Sequence, residues 1–183
     1  MLIEEIRKNA GFLNENYENL SVDEIYEKGT EDPNFDFNKG FDALISKDKT
    51  GEWIYYAGMN WKTFDFKKGF NALLEKAKTG RYICFAGRDW KTFDFKKGFD
   101  ALLEKEKDEG DGRWIYYAGN YYVGSHWKEF DFNKGFKALE KIGGQYLEKA
   151  KKRWPKTYTE KLKDVKDKYD ENHIPSKRRK LKR

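Results

Sequence analysis

The sequence predicts an α+β fold built from tandem units of about 29 residues, each joining a helix to a strand or a hairpin. Three observations predict it. The string FDFxKGFxAL occurs four times, at residues 35–44, 64–73, 93–102 and 130–139. An aromatic run ending in Ala-Gly recurs between the copies, as EWIYYAG from Glu52, RYICFAG from Arg81 and RWIYYAG from Arg113. The apolar residues of the first element recur with a helical period, and those of the second alternate over a short run.

Each FDF string opens a helix. In the second copy Phe66, Phe70, Leu73 and Leu74 fall on one helical face. Asp36, Asp65, Asp94 and Asp131 stand where an N-cap is needed, since a short carboxylate accepts bonds from the unpaired amides of the first turn. In the fourth copy Glu140 takes the last apolar position, as suits a helix that loses a covering neighbour. This gives four helices.

The aromatic runs Trp53–Ala57, Tyr82–Ala86 and Trp114–Ala118 are expected to be three intervening strands or hairpins. Ile54 and Tyr56 then face the helices. Trp53, Tyr55, Tyr82, Trp114 and Tyr116 form an opposite face that needs a cover: another layer, a partner or a ligand. WKTF after the first two runs is either a return strand or a connection. The third unit carries an insertion within residues 120–127, including Tyr121, Tyr122 and His126, which breaks the repeat symmetry.

The flanks differ in charge. Residues 1–34 form an acidic helical cap of net charge −6, with a capping box at Ser21 and Glu24. Gly29 is expected to end that helix. The repeat domain, residues 35–142, is followed by C-terminal helices over 143–175 and a basic tail over 176–183. Residues 147–183 carry a net charge of +9. Basic character therefore belongs to the C-terminal end and not to the repeats.

Chemistry is thinly supplied. The chain has two histidines, one cysteine, no phosphate loop and no metal-ligand spacing, so a non-enzymatic protein without a cofactor is expected. The lone Cys84 excludes an internal disulfide and suits a reducing, intracellular setting: cytoplasmic, or nuclear in a eukaryote. No stretch has the length and apolarity of a membrane span.

The expected function is nucleic-acid binding. Lys39, Lys68, Lys97 and Lys134, each before a glycine at a helix start, are candidate phosphate seats. Lys177, Arg178, Arg179 and Lys180 of the tail are candidates for backbone contact, and the aromatic face with Tyr121, Tyr122 and His126 for bases. The alternative is a protein–protein module, an adaptor or inhibitor, using the aromatic face and the insertion. A small-nucleotide binder is a third reading. Self-association through the aromatic face is also compatible with the sequence.

Overall fold

The computed structural model describes residues 17–120 and 127–154. Every regular element among them is helical. After a 3-10 turn at Tyr17–Asn19 come α1 (Val22–Glu31), α2 (Phe37–Lys47), α3 (Glu52–Asn60), α4 (Phe66–Lys76), α5 (Gly80–Asp89), α6 (Phe95–Glu109), α7 (Arg113–Ala118), α8 (Phe132–Ile142) and α9 (Gly144–Arg153). The α+β expectation is therefore corrected: the described residues form an all-helical repeat.

The FDF strings start α2, α4, α6 and α8, each capped by its aspartate as expected. The three predicted strands are instead helices α3, α5 and α7. A five-residue apolar run fits a buried helix as well as a strand. Here the helices are enclosed on several sides, so consecutive positions such as Ile54 and Tyr55 are both buried, while Tyr56 is only half-buried. Aromatic and β-branched residues favour strands only weakly, and packing overrides that preference.

The helices alternate between two rows. The first row holds α2, α4, α6 and α8. The second holds α1, α3, α5, α7 and α9, and each of its members packs on the next. Each first-row helix sits between two successive second-row helices. Such stacked helical pairs make a quasi-linear array in which each unit depends on its neighbours.

A tryptophan at the end of each pair locks this stacking. Trp61, Trp90 and Trp127 lie across Gly29, Gly58 and Gly87 of the preceding second-row helix. A Cβ on Gly58 would stand 2.5 Å from the Trp90 indole, so only glycine admits the ring. The indole N–H groups donate to the carbonyls of Tyr26 (3.1 Å), Tyr55 (3.1 Å) and Cys84 (2.8 Å). The rings meet the phenylalanines of the FDF strings edge-on, as Trp61 does with Phe35 and Phe37. Gly29 therefore does not end its helix, which runs on to Glu31; its work is to seat Trp61.

The five-residue insertion leaves this junction intact. The Trp127 amide donates to the Ala118 carbonyl at 2.9 Å, as Trp61 does to Ala57 and Trp90 to Ala86. The fourth lock differs: Trp154 lies parallel to Tyr116 at 6.3 Å, and Phe130 covers Gly119.

The capping box at Ser21 and Glu24 forms as expected, the Glu24 carboxylate accepting from the Ser21 amide at 2.7 Å. Its pKa is held below the ordinary carboxylate value by the bonds from Ser21.

Candidate functional site

The lysine-glycine starts are built from the same parts four times. Each cap carboxylate takes the lysine's own amide: Asp36 from Lys39 (3.1 Å), Asp65 from Lys68 (2.9 Å), Asp94 from Lys97 (3.0 Å) and Asp131 from Lys134 (3.0 Å). The amides that would face a phosphate already face a carboxylate. The ammonium groups are also paired. Lys68 meets Asp42 and Lys134 meets Asp100 (3.5 Å), each on the preceding first-row helix. Lys97 has Asn71 in that column and turns to its own Asp94 at 3.9 Å. Lys39 pairs with Asp36 at 3.7 Å. These exposed pairs are worth about 0–1 kcal/mol each and set register more than stability. The glycines make room for the first FDF phenylalanine: a Cβ on Gly135 would stand 2.7 Å from the Phe130 ring.

The predicted aromatic face is divided by the helical period. Tyr55, Tyr82 and Tyr116 are buried between successive second-row helices, and Trp53 and Trp114 are half-buried. Of the residues expected under the helices, Ile54 with Tyr56 and their equivalents Ile83 with Phe85 and Ile115 with Tyr117, the isoleucines are buried and the aromatic members reach solvent. Tyr56 and Phe85 are half-buried and Tyr117 is 40% exposed. The sequence pattern hides these three because a period of two places residues 54 and 56 together, whereas a helix turns them about 200° apart. Projecting the runs with a helical period finds them.

Together the rings form a continuous strip along the second row. Tyr26 meets Trp53 at 5.2 Å, Tyr55 meets Phe85 at 5.8 Å, and Phe85 meets Trp114 at 5.5 Å. Trp114 meets Tyr117 at 5.8 Å, and Tyr117 meets Tyr146 at 5.9 Å. Over the C-terminal part of this strip lie cations: Arg81 and Arg88 over Phe85 (5.7 and 4.7 Å), and Arg113 and Lys149 over Tyr146 (5.9 and 4.7 Å).

Polar groups tie successive second-row helices. At three junctions the residue before the tryptophan reaches the tyrosine of the preceding second-row helix. Asn60 donates to the Tyr26 hydroxyl (2.7 Å), the Tyr55 hydroxyl donates to Asp89 (2.7 Å), and Arg153 donates to the Tyr116 hydroxyl (3.4 Å). Arg88 also grips Asp89 with two bonds, at 2.7 and 2.6 Å. Burial and the bond to Asp89 push the Tyr55 pKa up. Burial pulls Asp89 upward, but Arg88 and Tyr55 outweigh it and hold the carboxyl below its ordinary value. Burial, then the bond to Glu52, raises Tyr82; burial, then Tyr146, raises Tyr117.

Charge is graded along the second row. Formal net charge is −3 for α1, −1 for α3, +1 for α5, +1 for α7 and +3 for α9. The first row shows no such order: α6, with Asp100, Glu104 and Glu106 among its acids, is the negative member between positive neighbours.

Cys84 occupies the tyrosine column of the third junction. It is buried, and that burial pushes its thiol up to about 12. It is thus a packing residue and no nucleophile at neutral pH. Native protein at pH 8 is expected to resist alkylation by iodoacetamide, with labelling rising only as denaturant unfolds the array; prompt labelling of the native state would contradict this burial.

Tyr121, Tyr122, His126 and the tail residues Lys177, Arg178, Arg179 and Lys180 lie outside the described residues. Among the described residues no group of three metal-ligating side chains occurs, and no helix is long and apolar enough to cross a membrane. Compared with protein-family models, curated proteins and solved structures, the chain matches none of them.

Proposed function

We propose that this chain is a non-enzymatic repeat scaffold that binds nucleic acid along the basic half of its second row, from α5 to α9. The observation that carries the reading is the row of Arg81, Arg88, Arg113 and Lys149, each held over an aromatic ring of one continuous strip. A cation fixed on a ring surrenders little conformational entropy when a phosphate meets it. Asp111 is only a modest competitor for Arg113, since exposed pairs are weak, whereas Asp89 holds Arg88 with two short bonds and competes with a phosphate for it. The basic C-terminal region adds further sequence-blind attraction.

The Lys-Gly starts have a lesser place in this reading, because capping and pairing already engage them. A second reading, a protein partner with a basic segment, is favoured by the acidic half, α1 and α3, which repels a polyanion.

Fluorescence anisotropy with labelled oligonucleotides at about 50 and about 200 mM salt tests the first reading. Binding is expected to weaken with salt, and the double variant Arg81→Glu, Arg113→Glu to lose affinity about tenfold or more with its helical content unchanged. Absence of binding at the lower salt would overturn it.

A further inference from the structure

We infer that the nucleic acid held by this row is single-stranded, with bases stacked on Trp114, on Tyr117 and on the Arg88 guanidinium that lies over Phe85; the inference rests on the nucleic-acid reading above. Phe85 on α5 and Tyr117 on α7 occupy the same position of successive second-row helices, and Trp114 bridges them edge-on to Phe85 at 5.5 Å. Neighbouring packed helices stand about 8–10 Å apart, so equivalent rings recur at that interval. Bases in a duplex strand recur at about 3.4 Å and are already stacked on each other. A platform with the wider interval suits a strand whose bases are splayed apart, about one base to each helical pair. A duplex would meet only the cations and leave these rings unused. Tyr117, at 40% exposure, is the most open aromatic of the strip, and Arg113 lies one turn before it on the same helix. One helix thus offers a ring for a base and a guanidinium for the adjoining phosphate.

The cation supply agrees. A strip with about four cations gives a salt slope near −3 on a single strand, which holds a polyanion loosely unless something else contributes. Stacking is that contribution, and it is tolerant of sequence because every base has a π face.

The test compares three labelled probes of equal length against the full chain: a single-stranded oligonucleotide, its duplex, and an abasic strand with the same phosphates. The single strand is expected to bind at least tenfold tighter than the abasic strand and tighter than the duplex. Tyr117→Ala is expected to lower single-strand affinity about tenfold and leave abasic binding unchanged, while Tyr117→Phe keeps the affinity. Thermal melting of each variant separates lost contact from lost fold. Equal binding of the abasic and base-bearing strands, or tighter binding of the duplex, overturns the stacking inference and leaves the polyanion reading standing. Failure of all three probes at low salt removes the polyanion reading itself.

Discussion

Replacing Trp90 with alanine is expected to destabilise the array by about 3–5 kcal/mol, the largest effect of any substitution considered. Three losses coincide at this residue. Its ring is buried between Phe64 and Phe66, at centroid distances of 5.3 and 5.8 Å. Its indole N–H bonds the Tyr55 carbonyl, which keeps one helix of the second row in register with the next. Its ring also fills the hollow above Gly58, where a Cβ would meet it at 2.5 Å. Alanine leaves a cavity that the glycine cannot close. In an array each unit is held by its neighbours, so a broken central junction uncouples the two halves. Chemical denaturation followed by far-UV circular dichroism is expected to show a lower midpoint and a shallower, less cooperative transition. A change under about 1 kcal/mol with the slope preserved would mean that the Trp-on-Gly lock does not hold the units together.

Asp48→Ala is expected to cost about 2–4 kcal/mol, well above the usual loss of an N-cap. Asp48 is buried, and its two oxygens serve the whole start of α3. Oδ1 accepts from the amides of Thr50 (2.8 Å) and Gly51 (2.9 Å), and Oδ2 accepts from the amide of Ile54 (2.9 Å). Alanine would strand those donors away from water, which costs more than an exposed cap whose amides can rehydrate. Glu106 occupies the matching column two units on, where its Oε2 accepts from the Trp114 amide at 3.3 Å. In the unit between, Ala77 fills that column and Thr79 caps α5 through the Arg81 amide at 3.2 Å. The expected readout is a lower denaturation midpoint with an unchanged slope, because only one helix start is affected. A cost no greater than that of an exposed cap, about 1 kcal/mol, would show that water reaches these amides.

Part of this architecture is legible in the residues alone. The Ser21–Glu24 box and the aspartate of each FDF string announce helix starts, because a short side-chain acceptor three residues before an amide has few other uses. The column of Asp48 and Glu106 is not legible: its work depends on a contact across a turn, and an acidic residue near a charged helix end reads as ordinary solvated charge. The exposed strip is hidden for a different reason. Locating Tyr56, Phe85 and Tyr117 on a surface needs the period of their element, and a short aromatic run does not declare its period.

By itself the sequence determined that a short module is copied in tandem, where four of its helices begin, and how charge is divided between the two ends. Those features are local: a cap, a period and a count need no neighbour. Only the tertiary structure decided that the aromatic runs are helices, that α1 and α9 belong to the same row, and which rings face water. The reason is that WIYYAG satisfies helix and strand alike until something packs on it. What packs on it is a tryptophan from about 35 residues further along.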